Sequence, residues 1–199
     1  MKKFCLVLLV SVLLSSCSKN DVMERTIFIP DKDDSNLPAY TEWGYNSFGA
    51  EYERDYFLVS NHIVPCNIVY NKDMQLEFSL SGITHNDNKE MTLTFIFSSM
   101  PPMQDYKDLV QLNNVKFNLS DDNACTVKIA RDSNETILEG MRGEFHFKRA
   151  QLLSIDDKVN RVILSGVFDL QFLKNGHPSY ISDGRFDVGI TQRVFYAHK

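Results

Sequence analysis

The chain has no excess of positive charge. Its 21 lysines and arginines are outnumbered by 26 aspartates and glutamates, and the basic residues form no cluster. That argues against a nucleic-acid partner and against electrostatic attachment to a membrane. Catalytic signatures are missing as well: there is no G-x-S-x-G elbow and no glycine-rich loop to cradle a phosphate. The five histidines, His62, His85, His146, His177 and His198, never fall in a metal-ligand spacing. No cofactor and no metal is implied, and the expectation is a protein that is not an enzyme. Internal repeats are absent, and only one stretch carries a helical period. No apolar run is long enough to cross a bilayer, which takes roughly 20 residues; Phe4 to Leu14, broken by Ser11, falls well short.

What is present at the start is a signal. Lys2 and Lys3 precede that apolar run, and Leu14-Ser15-Ser16-Cys17 follows it. The order of charged, apolar and small-residue regions reads as a signal peptide rather than a transmembrane helix. Leu14 to Cys17 resembles the bacterial lipobox. The resemblance implies cleavage after Ser16, acylation of Cys17 and attachment through palmitate-type chains at about 0.8 kcal/mol per buried CH₂. Ser18, rather than an aspartate, follows the cysteine; by the sorting rule of enteric lipoproteins this implies the outer membrane, with the periplasmic or surface face left open. Residues 1–16 are then the signal, 17–41 a lipidated tether and 42–199 one domain. The 183 residues left after cleavage of the 199 carry a net charge of −7, against −5 for the whole chain. That length is enough for a substantial core.

Cysteine is scarce. Cys5 leaves with the signal and Cys17 takes lipid, so Cys66 and Cys125 remain. In an oxidising envelope such a pair is a disulfide candidate, and a bridge would add about 4 kcal/mol by constraining the unfolded chain. The alternative is two buried free thiols acting as small hydrophobes.

Phenylalanine is abundant, with fourteen, and there are eight tyrosines. Alternation of period two dominates after Pro65. Leu76, Phe78 and Leu80 form one inward set, and Met91, Leu93, Phe95 and Phe97 another, joined by the loop 84–89. Val115, Phe117 and Leu119 follow, then Cys125, Val127 and Ile129. Leu164, Phe168, Leu170 and Phe172 make the longest set, with Gly166 as a bulge. Asn175-Gly176 signals a hairpin, with His177-Pro178 lengthening its loop, and Phe186, Val188 and Ile190 return. Tyr106, Leu109 and Val110 predict one short helix near 104–112. The fold expected is an all-β antiparallel sandwich of about ten to twelve strands, or alternatively a β-barrel.

Upstream, Thr26 to Ile29 reads as a short strand stopped by Pro30. Asp31 to Asn36 reads as solvated linker; its alternating acidic residues loosely match a calcium loop, but Asn36 stands where that loop needs glycine. Trp43 to Ala50 carries strand character. Trp43, Tyr45 and Tyr52 either line an aromatic face for a sugar ring or fill the core. Glu77 and Asp169, on outward positions, are the pair that a glycosidase reading would select.

The order of pieces is similar to that of uncharacterised Bacteroidetes-type outer-membrane lipoproteins: a lipobox, a short tether, WGYNSFGAEY, DYKDLVQLNN before a strand, SGVFDLQF and ISDGRFDV. The resemblance implies location and fold and carries no chemistry. Together these readings lead to an expected non-enzymatic binding or assembly module. It would be bound to the membrane through its lipid, with a glycan or a partner envelope protein as ligand. A barrel carrying a small hydrophobic ligand, or a hydrolase of envelope polymers, are the alternatives.

Overall fold

A computed structural model describes residues 25–60, 65–121, 124–132, 134–156 and 158–198. The signal, Cys17 and His62 lie outside them. Twelve strands form among the described residues: β1 Ser47–Tyr52, β2 Asp55–Leu58, β3 Cys66–Tyr70, β4 Leu76–Thr84, β5 Glu90–Phe97, β6 Val115–Asn118, β7 Cys125–Arg131, β8 Asn134–Ile137, β9 Glu139–Ile155, β10 Lys158–Lys174, β11 His177–Ile190 and β12 Phe195–Ala197. They make one sheet in the order β6-β9-β10-β11-β1-β2-β4-β5-β7-β8, with β3 branching from β4 and β12 from β3. Pairing is antiparallel throughout, except that β12 runs parallel to β3.

The alternating residues explain how this sheet becomes a sandwich. Its inward rows are phenylalanines that meet across the middle. Phe78 on β4 lies 5.8 and 5.5 Å from Phe145 and Phe147 on β9, and Phe95 on β5 lies 5.1 Å from Phe168 on β10. The sheet therefore bends over on itself and packs its halves face to face. It does not close into a barrel: the order ends at β6 and β8, and aromatic rings fill the interior. The expected alternative of a closed barrel around a hydrophobic ligand does not form.

Residues 106–112 form the expected short helix, of 3₁₀ type, which buries Leu109 and Leu112. Asp105 caps it, accepting from the Lys107 N–H, while Asp108 reaches back to the Asp105 N–H. The Asn175-Gly176 hairpin has two residues and not four, because His177 already pairs with Lys174. Both turn residues have positive φ, 53° and 78°.

Three expectations change upstream. Trp43 to Asn46 is not strand, since Gly44 and Asn46 turn the backbone to φ of 73° and 53° and β1 begins only at Ser47. Thr26 to Ile29 forms no strand; the one bridge there is Pro30 to Pro38. The segment expected as tether is docked from Ile27 onward. Leu37 is buried, Pro38 fills the space a side chain at Gly49 would need, and Arg185 binds Asp31 at 2.9 Å. The Asp31 and Asp34 carboxylates accept backbone N–H groups from Asp33, Asp34 and Asn36, which makes this run a set of tight turns.

The disulfide is also corrected: Cys66 and Cys125 are both free and buried. The register shows why. Cys66 pairs with Leu80, Leu80 with Leu93 and Leu93 with Ile129, four residues from Cys125. Three strand spacings and four residues separate the sulfurs by roughly 14 Å across the sheet and 13 Å along it, far beyond a disulfide's reach. Burial pushes both thiols up, Cys125 to about 12. Thiol-blocking reagent at pH 8 should therefore leave both unmodified until the chain is unfolded, and reductant should not shift the melting temperature; mass spectrometry and a melting curve check the pair. Because each folded pKa lies above the unfolded value of 9.0, the thiols withdraw stability only as pH rises past about 9.

Candidate functional site

The two ends of the sandwich are built differently. At the first, the segment 41–46 lies over the outer face of β10, β11 and β1. It covers Asp187, which is only 1% exposed. Asp187 Oδ1 accepts the Gly44 N–H at 2.7 Å and the Ser165 hydroxyl at 2.9 Å. Its Oδ2 accepts the Thr41 hydroxyl at 2.5 Å and the N–H groups of Trp43 and Tyr45 at 3.0 and 3.3 Å. Three successive backbone N–H groups converge because Gly44 adopts a left-handed conformation, so the loop forms an anion-holding nest. Asn46 adds a second bolt, its Oδ1 accepting the Gly189 N–H at 3.0 Å. These bonds occupy both carboxylate oxygens, so Asp187 fastens the loop to the sheet. The outcome is positional: the Trp43 ring stands in solvent, 70% exposed.

At the opposite end, the β10–β11 turn, Tyr52 at the end of β1, and β8 enclose a cleft of about 540 Å³. Glu53 and Arg54 turn β1 into β2 with φ of 49° and 71°, a conformation that non-glycine residues resist. Lys174 holds that turn in place. Its Nζ donates to Glu53 Oε2 at 2.7 Å and to the Tyr52 hydroxyl at 3.0 Å, and lies 5.2 Å from the Tyr52 ring centre. The Ser179 hydroxyl donates to the other Glu53 oxygen. Burial alone would raise the Glu53 carboxyl, but the Lys174 and Ser179 hydrogen bonds hold it below the usual carboxylate range. Ile129, Leu138 and Phe172 form the apolar floor, and Ile137 and Leu173 form an exposed rim.

This cleft is the seam where the sheet fails to close. Among the described residues β8 pairs with β7 on one side and with no other strand. At Leu138 the chain crosses directly to β9 in the facing half, where Glu139 pairs with Leu173. Leu138 N–H donates to Val127 O, which makes that a hydrogen-bonded pair. Two residues on, Thr136 opposite Ile129 is then also of that kind, so Glu135 and Ile137 direct their backbone N–H and C=O groups to the open edge.

The aromatics expected to form a sugar face do not come together. Trp43 lies at the first end and Tyr45 is half-buried beside it, whereas Tyr52 is buried at the other end of β1. Glu77 and Asp169 occupy outward positions on β4 and β10, on facing halves of the sandwich, and Asp169 accepts the Asp183 N–H. Of the histidines, His146 shares a hydrogen bond with Asn114 at 3.0 Å. Among the described residues no group of three His, Cys, Asp or Glu side chains is placed to hold a metal ion. One signal in the sequence did mark the covered outer face: Val162-Ile163-Leu164 breaks the alternation, as a strand buried on both faces does. No protein-family model matches the chain, and neither a curated protein nor a solved structure does.

Proposed function

We propose that this chain is a non-enzymatic assembly module of the cell envelope, held to the outer membrane by an acylated Cys17 as in the Bacteroidetes-type lipoproteins it resembles. Its ligand is an extended segment of a partner envelope protein, added to the edge of β8. The observation that carries this reading is the seam. β8 offers unpaired backbone groups beside a cleft whose rim exposes Ile137 at 57% and Leu173 at 45%. An added strand gains main-chain hydrogen bonds from such an edge and side-chain specificity from an adjoining pocket. Arg131 and Lys174 at the cleft are already engaged, with Asp87 and Glu53, so backbone and apolar contacts, with the Glu139 carboxylate on the cleft wall, remain for recognition.

The test uses prolines. Glu135→Pro with Ile137→Pro removes both outward N–H donors and leaves the β7 ladder intact. Two hydrogen bonds at about 0.5–1.5 kcal/mol each should weaken partner capture roughly tenfold. Crosslinking in intact envelopes, followed by pull-down of native, proline and Cys17→Ala proteins, reads both parts. Cys17→Ala should abolish membrane retention. Equal capture by the proline variant and the native chain would remove the seam as the binding site.

A further inference from the structure

Four apolar side chains lie exposed at the end of the sandwich away from the cleft. Ile27, Phe28 and Ile29 are 47%, 41% and 41% exposed, and Trp43 is 70% exposed. They form one neighbourhood, since the Ile27 N–H donates to Tyr45 O at 2.8 Å, two residues from Trp43. Large apolar residues exposed together in one neighbourhood mark a contact surface, unlike apolar residues scattered singly. It is also rigid: the Asp187 carboxylate fixes the Trp43 backbone, and Ala39 N–H donates to Ile29 O at 2.7 Å.

We infer that this end lies on the phospholipid surface, with Ile27 to Ile29 and Trp43 inserted at the level of the headgroups. The inference rests on the acylated Cys17 of the proposed function. It adds that the folded domain itself touches the bilayer in a fixed orientation, instead of swinging on a tether.

Chain length favours this occupant over another protein. Cys17 precedes Ile27 by ten residues, which span at most about 35 Å when fully extended. Any relaxation of that stretch brings the patch closer to the bilayer. The residues are of the right kind: tryptophan prefers the membrane–water boundary, while isoleucine and phenylalanine enter the first 5–10 Å or so of it. The rim is polar. Lys148 sits 4.5 Å from the Tyr40 ring, and Arg149 lies 3.9 Å from Glu42. The orientation also fits the seam. Gly44 packs against Ile163, whereas Lys174 borders the cleft, eleven residues further along β10. That is about 35 Å of strand, so the cleft faces away from the membrane.

Trp43 is the chain's single tryptophan and reports on its own surroundings. Acylated full-length protein would be placed on phosphatidylethanolamine–phosphatidylglycerol vesicles carrying brominated acyl chains. Flotation and Trp43 emission would be read on the same sample. The expected result is co-flotation, a blue shift, quenching by bromine and loss of quenching by aqueous iodide. Ile27→Ser, Phe28→Ser and Ile29→Ser together should preserve flotation and restore iodide access. Flotation with Trp43 open to iodide and untouched by bromine would overturn the docked orientation while leaving the anchor standing. Failure to float would remove the anchor and the orientation with it. If Cys17→Ala protein without lipid already shields Trp43 and runs as a dimer, a second copy covers the patch and the inference falls.

Discussion

Replacing Phe145 by alanine should destabilise the fold by about 4 kcal/mol, near the upper end of phenylalanine truncations. Phe145 is fully buried and its ring touches six others. Phe95, Phe147 and Phe97 lie 4.6, 4.7 and 5.0 Å away, and Phe186, Phe168 and Phe78 lie 5.6, 5.7 and 5.8 Å away. These rings come from β4, β5, β9, β10 and β11. Loss of the ring therefore opens a cavity at the point where both halves of the sandwich meet. Strands locked in hydrogen-bonded ladders relax little into such a space, so the cavity cost adds to the transfer cost. For a domain of this size the midpoint of thermal unfolding should fall by about 8–16 °C. Urea unfolding should give a lower midpoint with an unchanged slope. Phe145→Leu, which fills most of the volume, should cost about 1–1.5 kcal/mol. Phe117 is the internal comparison, because it sits half-buried on the edge strand β6; alanine there should cost roughly half as much as at Phe145. Similar losses at the two positions would show that the aromatic cluster is not the centre of the fold.

The inward rows that meet at Phe145 were legible because period-two alternation reports which face of a strand each residue occupies. Met91, Leu93, Phe95 and Phe97 are all buried, as are Leu164, Phe168, Leu170 and Phe172. The Asn175-Gly176 turn and the helix at Tyr106 were legible for similarly local reasons. Alternation does not say which strands are neighbours. Cys66 and Cys125 share inward parity, yet two strands, β4 and β5, stand between β3 and β7. The conformation of residues 27–46 is not legible locally because their contacts are distant in sequence: Asp31 binds Arg185, and Thr41 binds Asp187. Trp43 and Tyr45 have the side chains of a strand, but Gly44 and Asn46 have positive φ, and the partners of this turn lie far off in sequence: the Asp187 carboxylate accepts the Gly44 N–H from 143 residues away, and the Gly189 N–H donates to Asn46. The free edge of β8 was hidden for the complementary reason, since an unpaired edge is a property of the strand order alone.

Asp187→Ala should cost about 3–4 kcal/mol, although it removes no apolar side chain from the core. The carboxylate accepts five hydrogen bonds, three of them from the backbone of one loop. Bonds to a charged acceptor contribute about 1.5–3 kcal/mol, and a buried donor left unpaired costs about 1–3 kcal/mol. The sum is not additive, because the Trp43 and Tyr45 N–H groups are only partly buried and regain water once the loop lifts. Gly44 N–H and the Ser165 hydroxyl lie deeper and carry most of the loss. Ser165→Ala, which deletes one donor and leaves four on the carboxylate, should cost only about 1 kcal/mol. Urea titration of the three proteins orders these values. A second readout separates a fastener from a merely well-packed residue. In folded Asp187→Ala, the Trp43 backbone loses its anchor, so indole anisotropy should fall before any unfolding begins. It should stay native in Ser165→Ala. Loss of that anchor also frees the loop that presents Trp43, so Asp187→Ala should weaken bromolipid quenching on vesicles without changing flotation. An Asp187→Ala protein with native stability and native anisotropy would show that the loop holds its shape without the carboxylate.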